Sequence, residues 1–418
     1  MNVRRKAVSG LLIVILFLLA FFLFFLPLYG AKQPNADNAA PGTLKWKAKL
    51  GKNIQSPVQA DGIVYVVGAD YGAYAFDALT GHEKWKALVP GTWASSPAFG
   101  NHKIFLTIRL ASGNSRLIAF DQYTGRQVLD VQIEDWEAYD PVYSNGVVYF
   151  GGGSGNYANP YGPSYDASGH VYAVDAQTGH IIWTVPTGGK PSSVAVAVTV
   201  ADGLVYCWDG LSHILALESK TGQERWRFER DFSYKISITA ADGAVYFADS
   251  YRFSYGIPGH LYAVDSETGK LKWQVQDRSR WYSSLAIQDR TLYFASNAAR
   301  YYCIDNCSGG PTSYEDDLEA VDVQTGQVKW KIEPLNGPFP HVIADNGLLY
   351  YDTLVGSGHN SILVANASNG SLAWSYPLSG QSYAPPIVAN GSVYAGNEDG
   401  DFYMIGPPEA TPAATHSP

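Results

Sequence analysis

Cysteine and methionine are scarce in this chain of 418 residues, at three and two. Cys207, Cys303 and Cys307 are too few for a disulfide framework or a four-ligand zinc site. No cysteine follows the N-terminal apolar run, which excludes a lipid-modified N-terminus. No Gly-x-Ser-x-Gly elbow and no His-Glu-x-x-His pair occurs, so serine-hydrolase and zincin chemistry have no motif to rest on. Positive charge is short as well: the formal net charge is −9, and Arg4, Arg5, Lys6 and Lys32 are the only charged residues before Asp37, leaving −13 on residues 37–418. So acidic a surface argues against nucleic acid as the partner of the folded part.

Long apolar runs are missing except at the N-terminus. Arg4, Arg5 and Lys6 precede an uncharged stretch from Leu11 to Leu28, which as a helix would reach about 27 Å, close to the thickness of a hydrocarbon core. The basic flank places residues 1–10 in the cytoplasm, residues 11–28 in the membrane as a signal-anchor, and the rest of the chain outside. Cleavage near Gly30 and Ala31, releasing a secreted protein, is the alternative. Residues 29–41, small, polar and Pro-containing, read as a flexible linker, and residues 407–418 as a disordered tail.

What the chain has in quantity is Gly, Tyr and Trp, at 42, 29 and 11 residues, a balance that favours short strands and tight turns. Within residues 42–406 one pattern recurs: an apolar strand, an Asp-Gly or Asn-Gly turn, a second strand, then Ala-x-Asp-x-x-Thr-Gly-x-x-x-Trp. Its copies are Asp77/Thr80-Gly81/Trp85, Asp121/Thr124-Gly125/Leu129, Asp175/Thr178-Gly179/Trp183, Glu218/Thr221-Gly222/Trp226, Asp265/Thr268-Gly269/Trp273, Asp322/Thr325-Gly326/Trp330 and Asn366/Asn369-Gly370/Trp374, with the Asp-type positions 43 to 57 residues apart. That spacing is the length of a four-stranded blade. An eighth copy is split: the C-terminal strands up to Ile405 lack a Trp strand, and Thr43-Leu44-Lys45-Trp46-Lys47 supplies one. The expected fold is an all-β, eight-bladed, monomeric propeller closed by joining the two ends. Gly in Thr-Gly serves a turn with positive φ, and Trp46, Trp85, Trp183, Trp226, Trp273, Trp330 and Trp374 fill the wedges between blades. Leu129 and Asn366 read as tolerated departures.

This repeat resembles the PQQ-like (quinoprotein-type) family, which includes the propellers of quinoprotein alcohol dehydrogenases and the β-barrel-assembly lipoprotein of Gram-negative outer membranes. In the dehydrogenases the resemblance would imply a quinone held between a Trp and a disulfide of adjacent cysteines, with Ca²⁺ and a carboxylate base beside it. This chain has no adjacent cysteine pair, so it is expected to be no enzyme and to hold neither PQQ nor Ca²⁺; no catalytic or metal residues are assigned. His170, His213, His260 and His359, each just before a third strand, read as strand-entry packing, and Glu398-Asp399-Gly400-Asp401 as turn formers.

Alternating strand direction sorts the connections between two faces. Short turns share one face; the insertions Gly151–Gly169, Asp249–Gly259 and Asn297–Asp317 share the other. Long loops on a rigid scaffold carry binding residues. There the candidate partner-binding residues are Trp93, Trp136, Tyr139, Tyr251, Arg252, Arg280, Trp281, Tyr282 and Tyr301, aromatics and arginines of the kind that dominate binding hot spots and stack on sugars. Cys303 and Cys307 form a candidate loop-closing disulfide, and Cys207 a buried thiol. The function expected is a membrane-anchored, extracytoplasmic scaffold for a protein, peptide or cell-envelope glycan. Two alternatives remain, a PQQ-dependent dehydrogenase and an envelope assembly factor.

Overall fold

The computed structural model describes residues 31–32, 39–153, 169–187, 197–209, 213–229, 237–248, 259–276, 281–282, 284–300, 313–335, 341–355, 359–382 and 384–409. They form eight antiparallel sheets, the blades of an all-β propeller. Blades 1 to 7 occupy residues 58–88, 93–133, 137–187, 198–229, 238–276, 281–335 and 342–378. In blade 1 the order from first to fourth strand is Val58–Ala60, Ile63–Gly68, Gly72–Asp77 and Glu83–Leu88. Blade 8 joins the chain ends: Ile387–Ala389, Ser392–Gly396 and Asp401–Gly406 are completed by Thr43–Lys49, with Thr43 opposite Gly406 and Lys49 opposite Asp401. The first strand of blade 8 lies against that of blade 1, closing the ring. No helix among the described residues is long and apolar enough to cross a membrane, and the run read as an anchor, residues 11–28, lies outside them.

The core is divided into eight apolar clusters, each bridging two neighbouring blades, the last joining blade 8 to blade 1. This division reflects the sequence pattern. The middle strands are buried on both sides, as Ile63–Gly68 is throughout its length, so they read as continuous apolar runs. Fourth strands alternate, burying Trp and presenting polar residues outward. A register shift recurs in each third-to-fourth strand ladder just before the Trp position, a bulge that turns the indole into the seam.

The repeated turn is built as its residues dictate. The carboxylate of Asp77 accepts the Thr80 N–H at 3.0 Å and the Thr80 hydroxyl at 2.9 Å, and these bonds hold the Asp77 carboxyl below its usual range. Gly81 has φ +70°, and a Cβ there would lie 2.6 Å from the Trp46 ring of the preceding blade. Trp46 in turn donates its indole N–H to the Ala78 carbonyl at 3.0 Å, and Tyr394 donates its hydroxyl to the same oxygen at 3.2 Å. This Trp-plus-Tyr clamp recurs on Gln122, Ser219, Ser266, Val323 and Ala367. Asn366, in the Asp position, caps its turn through Ser368 instead, accepting from its N–H at 3.0 Å and its hydroxyl at 2.8 Å.

The seam between blades 2 and 3 departs from this. Leu129 stands where Trp would, Phe105 where Tyr would, and the ammonium of Lys103 donates to the Ala176 carbonyl at 2.8 Å. Desolvation lowers the Lys103 pKa. Leu129 is therefore part of a coordinated replacement rather than an isolated substitution. The stretch read as a linker also carries structure: Ala31–Lys32 pairs in parallel with Ile332–Glu333 of blade 6, and Ala40–Pro41 with Trp374–Ser375 of blade 7.

Candidate binding face

The ends of the second strands and starts of the third meet at the face that carries the insertions. Here the strict repeat gives way, and the described blades place differing polar groups just beneath the surface. In blade 1 the carboxylate of Asp70 accepts from the Tyr74 hydroxyl and pairs with Lys86 at 3.2 Å. In blades 2 and 3 Arg109 meets Glu137 at 2.5 Å, and the Tyr139 hydroxyl donates to the same carboxylate at 3.0 Å.

Three histidines are held by buried aspartates. His170 Nδ1 lies 3.0 Å from Asp135, His213 Nδ1 2.6 Å from Asp209, and His341 Nδ1 3.4 Å from Asp352. His170, His213, His260 and His359 fall at the first or second residue of their third strands, not before them. His341, on the inner edge of blade 7, has no counterpart in the repeat, and no sequence signal points to it. The second oxygen of Asp135 is buried without a hydrogen-bond partner among the described residues. Burial pushes the Asp135 carboxyl above its usual range, against the pull of the His170 bond. No group of three or more His, Cys, Asp or Glu arranged to hold a metal occurs among the described residues.

Blades 6 and 8 place buried carboxylates in ion pairs. Lys331 lies 2.8 Å from Asp317 and 3.1 Å from Glu319. Asp401, read in the sequence as a turn former, instead begins a strand and accepts from Lys47 at 2.9 Å, Lys49 at 3.0 Å and Ser379 at 2.9 Å. Burial works against it, yet the bonds from Lys47, Lys49 and Ser379 hold the Asp401 carboxyl well below the usual range. It fastens the N-terminal strand to the C-terminal one, a role that no local motif signals.

Of the candidate face residues, Trp136 is exposed at 41% and its ring lies over Gly113, where a Cβ would collide with it. Trp93 is half-buried, in a two-residue strand paired with Ile108–Arg109, and Tyr139 lies beside Glu137 in the same sector. The structure thus brings Trp93, Trp136 and Tyr139 to one side of the face. Trp281 and Tyr282 form a short strand against Ser296–Asn297. Tyr251, Arg252, Arg280, Tyr301, Cys303 and Cys307 lie outside the described residues. Cys207 is a free, fully buried thiol whose pKa burial pushes up.

A family model described as outer membrane protein assembly factor BamB matches residues 33–155, 89–309 and 314–406. The chain is 26% identical over 223 residues to the serine/threonine-protein kinase AfsK of Streptomyces coelicolor, covering 52% of this chain and 24% of that protein. It is 33% identical over 90 residues to the outer membrane protein assembly factor BamB of Burkholderia pseudomallei, covering 22% and 23%. These matches span about a quarter of each relative's length. Among solved structures, BamB of Moraxella catarrhalis superposes with a TM-score of 0.62 at 15% identity, covering 87% of this chain and 99% of that one. The quinohemoprotein alcohol dehydrogenase of Comamonas testosteroni gives 0.61 at 16% identity, covering 92% and 79%. At such identities the likeness is one of fold, shared by an assembly factor and an oxidoreductase.

Proposed function

The chain belongs to the PQQ-like propeller family whose model carries the description outer membrane protein assembly factor BamB, and on that premise we propose that it is a membrane-anchored, extracytoplasmic binding scaffold. Its insertion-bearing face engages a protein, peptide or cell-envelope glycan, and it performs no catalysis of its own. The observation that carries this reading is the character of that face. Asp70–Lys86, Arg109–Glu137, Asp135–His170 and Asp209–His213 pair within it, while an indole, Trp136, stands exposed over Gly113. Exposed aromatics beside paired polar groups are a common anatomy of binding hot spots.

A protein partner fits best, since the family's namesake is called an assembly factor. A quinone-dependent dehydrogenase is the competing reading, favoured by the fold shared with quinohemoproteins and opposed by the lack of adjacent cysteines. Titration of the full chain with PQQ and Ca²⁺, with dye reduction on primary alcohols and aldose sugars, separates the two. Saturable quinone binding with turnover would overturn the scaffold reading. A photo-crosslinking residue at position 136 in cells is expected to trap one discrete envelope partner, and the adduct is expected to vanish when the label sits at Tyr123, on the opposite, short-turn face.

A further inference from the structure

The outermost strand of each blade presents a row of backbone N–H and C=O groups that another strand can join, and proteins guard such edges with charge, above all with Lys. The guard is legible here. In blades 1, 4, 6 and 8 the Trp of the outer strand is flanked on both sides by cations, Lys84 and Lys86, Arg225 and Arg227, Lys329 and Lys331, Lys45 and Lys47, and blade 5 keeps Lys272. Adding a strand beside them would strip water from the ammonium and guanidinium groups other than Lys331, which is already drawn into its ion pairs with Asp317 and Glu319.

Blade 7 lacks the guard. Its outer strand Leu372–Leu378 places Ala373 and Ser375 beside Trp374. This is where the chain adds a strand to itself: Ala40–Pro41 runs parallel against Trp374–Ser375, and the Gly42 N–H donates to the Ser375 carbonyl at 2.7 Å. On guarded blade 6, by contrast, Ala31–Lys32 pairs only at Ile332–Glu333, past its two lysines.

Blade 3, four blades away and so across the ring, repeats the unguarded pattern. Its outer strand Ile181–Thr187 reads IIWTVPT against LAWSYPL, with Ile182 and Thr184 flanking Trp183 and with Pro186 aligned to Pro377. The two strands also bury the same alternate positions. Ile182 is 41% exposed, and no strand lies outside this one among the described residues. Neighbouring blade 2 adds little charge, since the one acid of its outer strand, Asp130, is already engaged by Arg116.

We propose that the outer edge of blade 3, at Ile182–Val185, is a docking strand for an extended, uncharged, small-residue segment of another polypeptide, added in parallel in the register that Ala40–Pro41 uses on blade 7. Backbone pairing supplies the affinity, as in other strand-addition complexes. Pro186 ends the competent stretch because it has no N–H to offer. The site lies on the rim, so it stands or falls independently of the reading of the insertion-bearing face.

The test uses a fluorescein-labelled peptide, NAAPGTL, copied from residues 38–44, titrated into the full chain in detergent and followed by anisotropy. Saturable binding is expected, weakened by about tenfold or more when Ile182→Lys and Thr184→Lys are introduced together, and equally when the peptide is N-methylated at its Ala40 and Gly42 positions. The double variant restores the Lys-Trp-Lys pattern of blades 1 and 6, so its thermal unfolding should match that of the parent. Absence of saturation at millimolar peptide would overturn the proposal. So would binding unaffected by the double variant, or binding lost instead in Ala373→Lys with Ser375→Lys, which would put the peptide on blade 7. A dimer in sedimentation that the double variant dissolves would assign the edge to a second copy and also overturn it.

Discussion

The seam between blades 4 and 5 and the seam between blades 2 and 3 perform one task with different chemistry. In the first, Trp226 and Tyr206 both donate to the Ser266 carbonyl, at 2.8 and 3.4 Å. In the second, Lys103 alone reaches the Ala176 carbonyl, Leu129 and Phe105 having given up the two usual donors. What stays constant is the acceptor, a backbone oxygen that the Asp-x-x-Thr-Gly turn carries into the seam and that burial obliges the protein to satisfy. The donor is free to vary. One seam has two neutral donors and a large indole; the other has a single donor that brings a charge with it.

The widest gap between the seams should appear on truncation. Trp226→Ala is expected to cost about 3–5 kcal/mol and Leu129→Ala to fall toward the lower end of about 2–5 kcal/mol, read from denaturant midpoints; equal losses would mean that indole packing adds nothing over Leu. Donor removal should invert the order. Lys103→Met leaves the Ala176 oxygen unsatisfied and should cost about 1–3 kcal/mol, whereas Trp226→Phe, with Tyr206 still donating, should cost nearer 1 kcal/mol. A larger loss for Trp226→Phe would end the argument for redundancy.

The smallest effect is a pH dependence. Because desolvation lowers the Lys103 pKa in the folded state, the unfolded chain binds the extra proton between that lowered value and the ordinary lysine range. Stability from this group therefore rises with pH across that window. Lys103→Met should flatten the rise, and Trp226→Phe should leave it unchanged, when unfolding is followed in alkaline buffers.

The fold was legible because its determinants are local and repeated. Asp77, Thr80 and Gly81 lie within one turn, and their spacing to Trp85 repeats along the chain, so period alone revealed blades and seams. Lys103 was not legible, because nothing beside it in sequence shows that it faces an oxygen 73 residues away. The pairs beneath the binding face were hidden for the same reason: Asp135 reaches His170 across 35 residues. Asp401 was misjudged because Glu398-Asp399-Gly400 beside it does form a turn, whereas its partners Lys47 and Lys49 lie at the other end of the chain. Exposed aromatics such as Trp136 could be assigned to a face from strand alternation, but composition alone did not separate it from Trp93, which is half-buried.

The divided eighth blade has a consequence for the order of folding. Lys49 and Asp401 pair across 352 residues, and Thr43 lies opposite Gly406 in the same ladder, so contacts that span nearly the whole chain are also the ones that close it. A chain that emerges N-terminus first must hold Thr43–Lys49 as an unpaired strand until nearly every other residue has been made. Contacts of such separation are slow to form and leave edges exposed meanwhile. The parallel pairing of Ala40–Pro41 with blade 7 anchors the residues just before Thr43–Lys49 one blade away from the three strands that Thr43–Lys49 completes. With Ala40–Pro41 on blade 7 and Thr43–Lys49 on blade 8, the N-terminal segment ties the two last blades together.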